Sequence, residues 1–173
     1  MRIATLSAML LALLACAAPA FAQSNAPSSP EDRQRVVSIA HSLERAPLDP
    51  GLQEDRSWAI KWLMDAPDVT INICPDAIPG MSGKDYAHNG EILVQYMVAM
   101  GAFIIENPGK SNDTDAQQLA GVESALNAYR VMLTAQPNYK SPGLEKLLGL
   151  QSKGELPGFV HKAFLSCLAK NGK

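Results

Sequence analysis

Apolar residues recur at helical spacing in about six stretches separated by proline- and glycine-rich breaks, and this pattern predicts an all-α chain. The first stretch carries Val36, Ile39, Ala40 and Leu43 on one face. Ser29-Pro30-Glu31-Asp32 precedes it, combining a capping hydroxyl, a proline suited to the first turn and acids at the positive end of the helix dipole. Pro47 stops it by about Ala46. Asp49-Pro50 repeats the start signal for a second helix, whose face contains Leu52, Trp58, Ala59, Trp62 and Leu63, with both tryptophans expected in the core. Beyond Pro67, Val69, Ile71 and Ile73 alternate in the one strand-like stretch. A single strand has no ladder to join, so residues 68–74 are expected to be an extended connection with these three side chains buried against helices.

The turn-rich segment from Pro75 to Gly83 delays the third helix until near Asp85 or His88. From Ile92 to Ile105 every position except Gln95 is apolar or glycine, the pattern of a helix enclosed on most sides and central to the fold. Ala99, Gly101 and Ala102 leave room there for close neighbours. Asn107-Pro108-Gly109 breaks the chain, and Asn112, Asp113 or Thr114 can cap a long fourth helix with the stripe Leu119, Val122, Leu126, Tyr129 and Leu133. Ser141-Pro142 starts a short fifth helix bearing Leu144, Leu147, Leu148 and Leu150, which ends near Gly154. Leu156, Val160, Phe164, Cys167 and Leu168 form the face of a sixth. The expected architecture is one compact helical bundle over residues 29–173, preceded by a flexible polar leader at 23–28.

Residues 1–22 have a different pattern: Arg2, an apolar run from Ile3 to Leu14, then Ala20-Phe21-Ala22 before Gln23. This reads as a secretory signal peptide cleaved between Ala22 and Gln23, and it directs the chain out of the cytosol, with the bacterial periplasm as the expected destination. The run is shorter than the roughly 17–25 residues a membrane span needs. A competing reading is a lipid anchor, because Leu13-Leu14-Ala15-Cys16 resembles the lipobox of bacterial lipoproteins, which implies acylation at Cys16. The mass of the mature N-terminus distinguishes the two.

Cleavage leaves 14 Lys/Arg against 17 Asp/Glu, a net charge of −3, which excludes a generally basic nucleic-acid binder. Residues 140–173 are locally basic, with six Lys/Arg and two acids, as expected for lysines near the C-terminal ends of short helices. Only Cys74 and Cys167 survive in the mature chain. An oxidising compartment, together with the absence of C-x-x-C, haem-attachment and zinc-type spacings, points to one structural disulfide between them.

Candidate chemistry is sparse. His41, His88 and His161 stand on different segments, so no metal-ligand spacing arises and no cofactor is implied. His88 and Glu91 are three apart at a helix start, and a cofactor-free hydrolase can use such a pair as base and partner. Asp113 and Asp115 resemble a cation site in outline, but the chain lacks the spaced oxygens of a calcium loop and helix capping accounts for them. Gly-x-Ser-x-Gly, Ser-x-x-Lys, His-Glu-x-x-His and phosphate-cradling glycine loops are all absent.

Ala125, Tyr129 and Pro137 stand at the offsets of the second helix of a tetratricopeptide repeat. The resemblance covers half of one repeat, because Pro108 and Gly109 fall where the first helix belongs and no second copy follows. It implies a helical hairpin with a groove beside Tyr129. The expected role is a binding or interaction module with a protein or peptide partner; the alternatives are the His88/Glu91 hydrolase and an envelope protein anchored through Cys16.

Overall fold

The computed structural model describes residues 27–80 and 86–171. The Ala22/Gln23 cleavage, acylation at Cys16 and the Asp85 helix start lie outside the described residues. Within them the chain is all-helical with no strand: α1 (Pro30–Arg45), α2 (Gln53–Asp65), α3 (Asn89–Glu106), α4 (Thr114–Ala135), α5 (Pro142–Ser152) and α6 (Leu156–Asn171). The start signals work as side-chain caps. Ser29 accepts the Asp32 N–H at 3.0 Å, and Asp113 accepts that of Ala116 at 3.0 Å. Asp49 accepts from Gly51 N–H at 2.8 Å and opens a short 3-10 turn, Pro50–Leu52, that runs into α2.

Helix α3 is the centre of the molecule, and its two sides serve two apolar clusters. Ile92, Tyr96 and Met100 join α4, α5 and α6, whereas Val98, Ala102 and Ile104 join α1 and α2. A helix shared between clusters has no broad face left for solvent, which is why its apolar run is nearly continuous. The α3/α4 crossing is close at Gly121, where an added Cβ would stand 2.8 Å from the Tyr96 carbonyl oxygen. At Gly101 an added Cβ would stand 2.5 Å from Leu63 Cδ2, so the small-residue site expected in α3 receives α2.

Three expectations require correction. In the extended stretch Val69 is buried and Ile71 partly so, but Ile73 is 47% exposed. No ladder maintains the pleat there; side chains satisfy the backbone instead. The Asn72 carbonyl accepts from Gln118 Nε2, and the Cys74 N–H donates to the Tyr96 hydroxyl at 3.3 Å. Turning Cys74 inward leaves Ile73 outside. Secondly, Trp58 and Trp62 are only partly buried, stacking at the edge of the core with centroids 6.4 Å apart, and the Arg35 guanidinium covers Trp58 at 3.9 Å. The innermost face of α2 is instead Arg56, Ala59 and Leu63. Thirdly, Leu168 is half exposed, because the buried side of α6 runs through Val160, Phe164 and Cys167.

Cys74 and Cys167 form a disulfide, and both half-cystines are buried. The bridge ties the ladder-free segment to α6. Among the described residues no helix is long and apolar enough to cross a membrane.

Three buried phenols make the fold sensitive to base. Burial pushes Tyr86 up to about 12, helped by the Glu91 charge. It pushes Tyr96 up to about 12 despite the opposing bonds to Cys74 and Gln118. Tyr129 is also raised, by burial and then by its bond to Glu145. A raised phenol stabilises the fold fully below its unfolded value of 10.0 and loses that contribution as pH rises towards the folded value. Phenolate absorbance from Tyr86, Tyr96 and Tyr129 and circular dichroism, followed together, are expected to change in one cooperative step above pH 10. Full phenolate formation near pH 10 with helicity intact would contradict this.

Candidate functional site

His88 occupies the N-cap position of α3, and Glu91 lies one turn further on. Their nearest atoms, Nδ1 and Oε2, are 4.0 Å apart, too far for a hydrogen bond. His88 Nε2 meets Gln136 Oε1 at 2.9 Å, and the ring is flanked by Tyr86 and Tyr139 at centroid distances of 5.7 and 5.3 Å. An amide oxygen only accepts, so Nε2 carries the proton and donates. Among the described residues no hydroxyl or thiol is hydrogen-bonded to His88. The structure therefore brings His88 and Glu91 to one helix start without placing a nucleophile against them.

The other histidines are dispersed. His41 Nε2 faces Glu106 on α3 at 3.1 Å, and His161 Nδ1 faces Asp115 on α4 at 2.8 Å. Asp113 is occupied as a cap and Asp115 by His161, so the two carboxylates of the cation outline turn to different partners. Among the described residues no three His, Cys, Asp or Glu side chains gather as a metal site. Tyr129, beside which a groove is expected, is itself fully buried, and a cavity of about 190 Å³ lies at the next turn of α4, against Val131, Met132 and Ala135. The Tyr129 hydroxyl donates to Glu145 Oε1 at 2.7 Å and accepts the Ser141 N–H at 2.9 Å, fastening the start of α5 to α4.

An open cleft of about 420 Å³ with mixed chemistry lies between α2 and the start of α3. Ile60 and Val94 supply apolar wall, Ser57 a hydroxyl, Gly90 an open stretch of backbone, and Arg56 and Glu91 opposite charges. Arg56 is 8% exposed. Its guanidinium donates to the carbonyl of Asp49 at 3.2 Å and to that of Pro47, holding the loop between α1 and α2. The Asp49 carboxylate is turned away to Gly51 N–H. Among the described residues no carboxylate lies within 4.0 Å of Arg56, so this buried cation has dipolar partners but no counter-charge. Buried charges are normally paired, and an unpaired one inside a cleft is the kind of group a ligand completes.

No family model, curated protein or solved structure matches this chain. Its functional reading rests on the chemistry of the site.

A second cavity, of about 380 Å³, lies at the start of α4. Thr70, Asn72, Ser111 and Gln117 give it a polar wall, and Gln117, 2% exposed, donates through Nε2 to the Ser111 carbonyl at 2.7 Å while its Oε1 has no protein donor. It lacks the extended apolar wall that drives most small-ligand binding. Sequence reasoning passed over Arg56 altogether. The signal was present, since positions 56, 59 and 63 share a helix face and place one charge on an otherwise apolar stripe.

Proposed function

We propose that this is an exported, non-enzymatic binding protein whose ligand site is the cleft between α2 and α3. The observation that carries this reading is Arg56, a buried cation without a carboxylate partner among the described residues, in a cleft with apolar walls. The cleft volume falls within the roughly 300–1,000 Å³ of small-ligand sites, and a few polar groups set among apolar ones is their usual composition. Export is supported by the pattern of residues 1–22 and by a disulfide that uses both cysteines of the mature chain. The hydrolase alternative has little to support it, because His88 is bonded to Gln136 and lies outside the cleft that Glu91 lines.

A side chain can be added at Gly90 without backbone conflict, since a Cβ there meets nothing within 4 Å. Gly90→Phe is therefore expected to obstruct the cleft and leave the fold intact. Both proteins would be exposed to a small-molecule extract of the periplasm and compared by native mass spectrometry. The wild type is expected to retain a bound species that Gly90→Phe does not. Identical spectra from two equally stable proteins would overturn the reading.

A further inference from the structure

We infer that the α2/α3 cleft receives a small zwitterion with an apolar side chain, the chemistry of a free aliphatic amino acid or a very short apolar peptide; this rests on the cleft being the ligand site. Arg56 and Glu91 line one cleft, yet no ion pair joins them. Opposite charges that line one cleft without pairing are complementary to a ligand that carries both signs.

The donors and acceptors fit such a ligand individually. Guanidinium has five N–H donors. Two are engaged by the Pro47 and Asp49 carbonyls, which fix the group in place and leave others for a carboxylate. Carboxylate recognition by guanidinium is charge-assisted and strengthened where water is excluded. Glu91, with its side chain 35% exposed, stands 4.0 Å from His88 without a hydrogen bond to it, and its carboxylate can accept from an ammonium group. Ile60 and Val94 line the same cleft with apolar surface, so an aliphatic side chain gains by leaving water. A simple anion would be repelled by Glu91 and a simple cation by Arg56, whereas a zwitterion satisfies both.

The test is a titration of isotope-labelled protein, purified after expression of the full chain, with leucine, N-acetylleucine, leucinamide and dileucine. Leucine is expected to give saturable shifts at the Gly90 and Val94 amides. N-acetylleucine, which lacks the ammonium, and leucinamide, which lacks the carboxylate, are each expected to bind at least about tenfold more weakly. Tighter binding of dileucine than of leucine would assign the site to peptides, and the reverse to free amino acids. Arg56 also holds the loop between α1 and α2, so the informative variant is Glu91→Gln: leucine affinity should fall by about tenfold while N-acetylleucine affinity does not fall, since the charge that repels an anion is gone. Equal binding of all four probes, no saturable shift with leucine or dileucine, or an unaltered Glu91→Gln titration would overturn the inference. If the zwitterions fail but Gly90→Phe still abolishes retention of a small molecule, the ligand class is wrong and the cleft stands. If Gly90→Phe has no effect either, both readings fall.

Discussion

Replacing Cys74 and Cys167 together with alanine is expected to lower the unfolding free energy by about 4–5 kcal/mol in the chain-entropy account, measured as a fall in the urea midpoint. The bridge closes 93 positions of chain, so its absence frees a large loop in the unfolded ensemble. Domains are stable by only about 5–15 kcal/mol, so the loss is a large share of the total. The native side of the equilibrium points the same way. Residues 68–74 have no ladder, and the bonds that hold their end, from the Cys74 N–H to Tyr96 and from Gln118 to the Asn72 carbonyl, form only when Cys74 is drawn inward. Reductant added to the wild type should reproduce the loss. A midpoint that does not move in either experiment would show that the segment is held without the bridge. Protein recovered from the periplasm should have no free thiol, and two titratable thiols would contradict the bridge.

Gly121→Ala is expected to destabilise the fold by about 1–3 kcal/mol, although alanine is the better helix former. The new methyl carbon would sit 2.7 Å from a Tyr96 ring carbon, 2.8 Å from Met100 Cγ and 2.8 Å from the Tyr96 carbonyl oxygen. A side-chain tip can yield, but a carbonyl inside α3 cannot move without displacing the helix. Relief therefore requires α3 and α4 to separate, and both apolar clusters depend on α3. Gly90→Ala supplies the contrast, since it adds the same atom to open space and should gain about 0.5–1 kcal/mol. Thermal unfolding of the two variants should shift in opposite directions. A Gly121→Ala variant as stable as wild type would show that the crossing has slack.

Much of the fold was legible because helix starts and stops are local. Ser29-Pro30, Asp113 and Ser141-Pro142 each mark a start through a bond spanning about three residues, which involves no distant partner. The central position of α3 was legible for a related reason: a run apolar on nearly every side has few places to go but the interior. The errors occurred where burial depends on something remote. Trp58 and Trp62 have the composition of core residues, yet Ala59 and Leu63 take the inner face because Gly101 lets α3 approach there. Ile73 follows the strand period until the disulfide redirects its neighbour. Tyr129 occupies a repeat-like position, but its hydroxyl is committed to Glu145 and Ser141.

The candidate site was less legible still. Glu91 was visible only as a companion to His88, and the structure gives it a different neighbour across the cleft in Arg56. The two are 35 positions apart in the chain and belong to helices whose faces say nothing of each other.

The sequence by itself determined the helical class, the helix boundaries, the enclosed third helix and the pairing of the two cysteines, because each follows from local periodicity, a short-range cap or simple counting. Only the tertiary structure decided that Arg56 is buried without a counter-charge among the described residues and that Glu91 shares its cleft. Burial and electrostatic pairing are properties of the space between helices, set by close approach at positions such as Gly101, and no local pattern encodes that space.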